Sequence, residues 1–325
     1  MEEEDHVIFP DGRILPLGEA THIFVDYEVI HEREFCEHPY IIEVICSENV
    51  EGIYGAAFAQ CPSLRRLIMP GVKLAEAATF FGSEALEDVE CGKLEIIKGC
   101  AFAGCKSLRS INLPSVRIVE ELGFAGCALS EVTFGSKLDR IEESVFSGCT
   151  ALERLTIPLK DGIIASDDIF QGCENLNHVD LVEGEVHATI ASFDSEEWKD
   201  DMHREIDSIN QILPNACAGY YDEEEEEWFE GEKAQVIRTW IRSVIDKMNH
   251  YKAGHRRFLN EAATLLELAI WKANLDDNNG GRNMSVREGV RTTRGSVKRA
   301  RRELCVTSGA SIVIKNVLPF LELKS

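Results

Sequence analysis

One short phrase recurs seven times in this chain, and that recurrence limits the fold more than any other feature. Aligned on an aromatic residue, the copies fall at Phe35, Phe58, Phe80, Phe102, Phe124, Phe146 and Phe170, in steps of 23, 22, 22, 22, 22 and 24 residues. Three residues after each Phe stands His38, Cys61, Ser83, Cys105, Cys127, Cys149 or Cys173. Five residues before it stands Ile30, Ile53, Ala75, Ile97, Val119, Ile141 or Ala165. A period in this range marks a solenoid. A single copy cannot enclose its own Leu, Ile and Phe side chains, whereas stacked copies share one continuous interior.

Each copy also carries an apolar rhythm after the Cys position, as in Leu64-x-x-Leu67-x-Met69 and Leu108-x-x-Ile111-x-Leu113. The last two apolar residues alternate with polar ones, which is strand spacing. Pro70, Pro114 and Pro158 then end the strand, because proline cannot donate to a ladder. The expected coil is one short strand, a turn, an inward Val or Ile, the aromatic, and the Cys turn. Strands about 4.8 Å apart make a rod roughly 30 Å long. The copy carrying Ser83 breaks the Cys pattern, and the copy over 124–132 is one residue short. Those two coils are where distortion of the ladder is expected.

The run Gly99-Cys-Ala-Phe-Ala-Gly-Cys-Lys-Ser-Leu-Arg-Ser-Ile-Asn-Leu-Pro114 resembles the BspA-like leucine-rich repeats of bacterial surface antigens. Its combination with a helical tail resembles members of that family in diatoms. The resemblance covers about residues 25–190. It implies an α+β chain: a right-handed leucine-rich-repeat solenoid of about seven coils, followed by an α-helical region. It also implies binding rather than a reaction.

Charge is uneven. Residues 1–193 hold 14 Lys and Arg against 34 Asp and Glu, and residues 194–325 hold 20 against 23. An acidic solenoid repels phosphate backbones and so disfavours nucleic acid as the main partner. No stretch approaches the ~18–20 apolar residues of a membrane span. The start, MEEEDHVIFPDG, is acidic where a secretory signal is basic and then apolar. The expectation is an intracellular protein, cytoplasmic or nuclear. Of the 11 cysteines, Cys61, Cys105, Cys127, Cys149 and Cys173 share one repeat position. Stacking accounts for them without pairing, as small apolar fillers kept reduced.

The period ends at Phe193. Residues 1–24 read as an N-terminal cap, 25–193 as the solenoid and 194–278 as a helical region. In the last, Asp194-x-x-Glu197 is a capping box, and Trp198, Met202, Ile206, Ile209 and Leu213 form an amphipathic stripe over a helix at 195–213. An acidic loop follows at 214–232. Ala234, Ile237, Ile241, Val244, Met248, Tyr251, His255, Phe258, Ala262, Leu265 and Ala269 then step by 3 and 4 in a long helix or helix pair over 233–276. Gly254 marks a place for a bend or break. The widened apolar face beyond it favours helices packed on each other over an exposed coiled coil. Residues 279–304 read as a disordered basic arm and 305–325 as a C-terminal helix that docks back.

No P-loop, dinucleotide fingerprint, HExxH or nucleophile elbow is present. His250 and His255 lie on different helix faces, and the five-Glu run lacks the spacing of a calcium loop. Neither catalysis, a cofactor nor a metal is expected. The candidate partner-binding surface is the solvent face of the strands: Glu43 with Ile45, Arg66 with Ile68, Asp88 with Glu90, Ser110 with Asn112, Glu131 with Thr133, Arg154 with Thr156, and His178 with Asp180. Lys298, Arg299, Arg301 and Arg302 read either as a nuclear localisation signal or as a solvated basic loop. The expected function is a non-enzymatic protein–protein interaction module. The alternative is a self-assembling structural or adhesion protein that dimerises through the helical region.

Overall fold

The computed structural model describes residues 20–193, 195–222, 227–229 and 231–280, with the backbone of 6–8 and 14–16. Two compact units divide between Met248 and Asn249.

The first unit is built on the seven Phe side chains. Phe58, Phe80, Phe102, Phe124, Phe146 and Phe170 are all but fully buried. Consecutive rings stack along the whole row from Phe35 to Phe170, with centroids 5.0–5.8 Å apart. Beside this row runs a parallel ladder of two-residue strands, in which Ile30, Ile53, Ala75, Ile97, Val119 and Ile141 stand in register. The last copy departs from the sequence alignment: Ile164, not Ala165, bridges to Ile141. Ile163 and Ile164 are buried while Ala165 is exposed. The longer step to Phe170 is taken up beyond Ile164, where Asp168–Phe170 forms a 3₁₀ turn.

The turn around each Phe repeats a backbone conformation that the residue types alone conceal. Two positions per coil are left-handed in the first six coils, and one, Gly172, in the last. The one two residues before the Phe is never glycine: Arg33, Ala56, Ala78, Cys100, Leu122 and Ser144 all have φ between 53° and 59°. The one two residues after it is glycine in five copies, at Gly82, Gly104, Gly126, Gly148 and Gly172, but Glu37 and Gln60 in the first two. These turns let alternate N–H groups donate to the next coil. Cys100, Phe102 and Gly104, for example, donate to the carbonyls of Glu121, Gly123 and Ala125 at 2.8–3.0 Å. Unmet N–H groups in such a core would be costly, so each coil needs a successor.

The Cys position does more than fill space. The thiols of Cys61, Cys105, Cys127, Cys149 and Cys173 donate to the carbonyl oxygens of Phe35, Phe80, Phe102, Phe124 and Phe146, each in the preceding coil, at 3.0–3.4 Å. Ser83 keeps the bond: its hydroxyl donates to the Phe58 oxygen at 2.8 Å and accepts from the Cys61 N–H at 3.2 Å. His38 serves as a turn residue, its buried ring accepting from the Ile41 N–H at 3.3 Å.

The wide strands form two four-stranded parallel sheets. One joins His22–Val25, Glu43–Cys46, Arg66–Ile68 and Asp88–Glu90, and the other joins Ser110–Leu113, Glu131–Phe134, Arg154–Ile157 and His178–Leu181. The interruption follows the coil that carries Ser83. The short copy is undisturbed, since Ser110–Leu113 pairs with Glu131–Phe134 over four residues. Its missing residue falls in the turn between Cys127 and Leu129, where Cys105 and Leu108 are one residue further apart.

The solenoid ends in a cap of helices. These are α1 (Glu185–Ala191), α2 (Glu196–Asp207), α3 (Ile209–Ile212) and the start of α4 (Lys233–Gly280). The stripe expected as one helix over 195–213 is thus α2, α3 and a 3₁₀ turn at Leu213–Asn215. The stretch expected as an acidic loop contains an antiparallel pair, Tyr220–Asp222 with Glu227–Phe229. In α4, Ala234, Ile237, Trp240, Ile241, Val244 and Met248 are buried. The Trp240 indole N–H donates to the Glu205 carbonyl at 3.1 Å, and Lys247 Nζ lies 2.9 Å from both Asp201 and Glu205. Cap groups meet the last coil at several points, among them ion pairs of Arg238 with Asp167 and of Arg242 with Asp161. Asn210 Oδ1 accepts from the Val179 N–H at 2.9 Å, and the Ala218 carbonyl accepts from the Gly172 N–H at 3.0 Å. The buried Lys233 Nζ donates to the Glu174 and Leu176 carbonyls at 3.0 and 2.6 Å.

In the second unit α4 continues without interruption through Gly254. Phe258, Leu259, Leu265 and Leu266 are exposed on it. Among the described residues no helix is long and apolar enough to cross a membrane.

Candidate partner-binding sheet face

The strands alternate strictly. Val44, Leu67, Val89, Ile111, Val132, Leu155 and Val179 point into the core, so their neighbours point to solvent. Register then places the expected residues in two columns. Glu43, Arg66 and Asp88 are consecutive partners, as are Ile45, Ile68 and Glu90. On the second sheet Glu131, Arg154 and His178 follow Ser110, and Thr133, Thr156 and Asp180 follow Asn112.

The two sheets differ in chemistry. On the first, Arg66 is the centre of a charge cluster, with Glu90 at 2.7 Å, Asp88 at 3.2 Å and Glu43 at 3.4 Å. Its bond to Glu90 leads the influences that raise its pKa further. Three carboxylates around one guanidinium leave the cluster with two negative charges uncompensated. On the second sheet Ser110, Asn112, Thr133 and Thr156 are neutral polar residues around the exposed Glu131, and Arg154 pairs with Asp180.

The sequence reading began this face at Glu43 and so missed one strand. His22–Val25 pairs in register with Glu43–Cys46, which adds Phe24 to the column of Ile45 and Ile68. The alternation His22-Ile23-Phe24-Val25 was the available signal, but Phe24 precedes the first full copy of the repeat.

Among the described residues no group of three or more His, Cys, Asp or Glu side chains could hold a metal ion. The ten described cysteines are free thiols. Burial pushes several of them up: Cys61 to about 11, Cys46 and Cys91 to about 12. Reactive thiolates need the opposite shift. Lys298, Arg299, Arg301 and Arg302, with the rest of the arm and the segment 305–325, lie outside the described residues.

The BspA type leucine rich repeat region model matches residues 20–87 and 73–195, with six copies, and so more than half of the chain. The chain belongs to the BspA-type leucine-rich repeat family. Solved structures with similar repeats include a leucine rich cell surface protein from Faecalibacterium prausnitzii, at 19% identity and a TM-score of 0.40, covering 51% of this chain and 61% of that one. The T. pallidum leucine rich repeat protein stands at 20% identity and a TM-score of 0.36, covering 54% of this chain and 78% of that one. The pneumococcal vaccine antigen PcpA stands at 16% and 0.37, covering 56% and 48%. This BspA-type chain therefore spans less than two thirds of the first and third of these proteins. No curated protein matches it.

Proposed function

We propose that the chain is a non-enzymatic protein–protein interaction module whose partner docks on the outward columns of the two sheets. One observation carries the reading: the backbone there repeats strand for strand, while the exposed residues do not. From Glu43 to His178 one column reads Glu, Arg, Asp, Ser, Glu, Arg, His. A regular frame that displays a non-repeating set of side chains suits recognition of an extended surface. The test is affinity capture from native lysate with the wild-type chain and with Arg66→Glu and Arg154→Glu. A change in capture of the same protein by one variant or both is expected; unchanged capture by both would remove this face as the site.

A second reading rests on α4. Phe258 is 58% exposed, Leu259 50%, and Leu265 and Leu266 45% each. Large apolar side chains exposed together mark association surfaces, and on this reading two copies pair through the distal part of the helix. Multi-angle light scattering of the full chain decides it. A dimer that Leu265→Glu with Leu266→Glu converts to a monomer is expected, and a monomeric wild type would sink it.

The same proposal places the protein in a reducing, intracellular compartment, since the thiol donors of the Phe turns must carry their protons. A thiol titre lower than the cysteine content, read after unfolding the natively purified protein in denaturant without added reductant, would count against this.

A further inference from the structure

Strands of a parallel sheet are ordinarily covered on both faces, and where one face meets solvent its outward residues are expected to be polar. The second sheet follows this, with Asn112, Thr133, Thr156 and Asp180 in its outer column. The first sheet does not. Phe24, Ile45 and Ile68 stand side by side on three successive strands, directed outward and only half-buried. They form an apolar line about 10 Å long at the strand spacing of 4.8 Å. Glu90 continues that line on the fourth strand, and Glu43 and Asp88 flank it in the adjacent column. Arg66 is committed to these three carboxylates, so the border of the apolar line is net negative.

We propose that Phe24, Ile45 and Ile68 with the Glu43–Asp88–Glu90 cluster form the docking site for a basic, aliphatic polypeptide segment, one that sets two or three aliphatic side chains on the line and places Lys or Arg against the carboxylates. This rests on the interaction-module reading and narrows it to one end of the face and one partner chemistry. Aliphatic contact supplies affinity, and charge selects the partner and speeds encounter. An acidic apolar segment meets repulsion there, and a purely basic one leaves the apolar line wet.

The test uses the full chain and three labelled peptides: one alternating lysine and isoleucine, one alternating glutamate and isoleucine, and an oligolysine. Fluorescence anisotropy at physiological ionic strength reads binding. The lysine–isoleucine peptide is expected to bind, and the other two at least about tenfold more weakly. Ile45→Thr and Ile68→Thr place at these sites the residue that Thr133 and Thr156 already supply in the same column, so they keep the strands. Each is expected to weaken binding about tenfold, and Glu90→Lys to do the same. Equal binding of wild type and variants would show that the peptide adheres elsewhere on an acidic surface, and would overturn the assignment. So would absence of binding, or oligolysine binding as tightly. A natural partner lost only through Arg154→Glu would overturn this site and leave the interaction-module reading standing; a partner indifferent to every sheet-face variant would sink that reading itself.

Discussion

The thiol of Cys127 donates to the carbonyl oxygen of Phe102 at 3.0 Å, from 25 positions further along the chain. That oxygen also accepts from the Cys105 N–H in its own turn. The thiol therefore joins one coil to the previous one at the point where the stacked rings turn. Ser83 shows that a hydroxyl can take the role. Cys127→Ser is expected to cost less than Cys127→Ala, which loses the donor and leaves a small void, at about 1–2 kcal/mol. Urea denaturation of both variants compares them, and an alanine more stable than the serine would mean that the contact is only packing.

The same burial makes the fold sensitive to alkali. An unfolded cysteine ionises near pH 8.5, whereas Cys61 is pushed up to about 11 and Cys46 and Cys91 to about 12. Burial is the leading cause at each. Between these limits the unfolded chain has lost protons that the folded chain keeps, so unfolding is favoured as pH rises. Stability from these groups is complete below about pH 8.5 and declines from there to about pH 12. Chemical denaturation at stepped pH should show that decline. A midpoint independent of pH across the window would contradict the burial of these thiols.

Two adjacent aromatics separate core from surface. Phe80 is fully buried in the stacked row, and Phe81 is 41% exposed. Phe80→Ala should cost about 3–5 kcal/mol, because it removes a ring from between Phe58 and Phe102 and leaves a cavity. Phe81→Ala should lie within about 0.5 kcal/mol of wild type. Thermal melting of the pair checks this, and equal losses would mean that the row is not the structural core.

What could be read in the sequence is what recurs in residue type. Phe at its fixed step and Leu, Ile and Val at strand spacing each fill one slot of a periodic core, so position in the repeat predicts position in the fold. Three features escaped because they do not recur in that way. Left-handed backbone is visible only where glycine carries it, and Cys100, Leu122 and Ser144 carry it without any signal. Ile164 took the place assigned to Ala165 because alignment back from Phe170 counts the extra residues on the wrong side of the turn. The Arg66 cluster draws its carboxylates from the two strands that flank its own, a relation that register alone supplies.

The left-handed positions give a prediction of opposite signs. Gly104 has φ +76°, and a side chain there faces the Gly82 backbone, with its Cβ 3.5 Å from the Gly82 Cα. Space is ordinary, so the cost of Gly104→Ala is conformational, about 1–2 kcal/mol. Gln60 occupies the equivalent position of an earlier coil at φ 55°. Gln60→Gly should therefore stabilise by about 0.5–1 kcal/mol, the relief of strain exceeding the added freedom of the unfolded chain. Denaturant midpoints measure both, and two shifts of the same sign would show that the turn geometry does not decide stability.

Lys233 tests the cap. A lysine buried to this degree is uncommon, and here desolvation lowers its pKa. What holds it is the pair of carbonyls at Glu174 and Leu176, which belong to the last coil and have no further coil to bond to. Lys233→Met keeps the stem but leaves both oxygens without this donor, at an expected cost of about 1–3 kcal/mol. Lys106→Met is the control, because Lys106 pairs with Glu84 on an open surface and should matter by less than about 1 kcal/mol. Differential scanning calorimetry of the two variants compares them. If Lys233→Met melts with wild type while Lys106→Met does not, Lys233 is not what closes the last coil, and the end of the solenoid is sealed by Asn210, Ala218 and the pairs of Arg238 with Asp167 and Arg242 with Asp161.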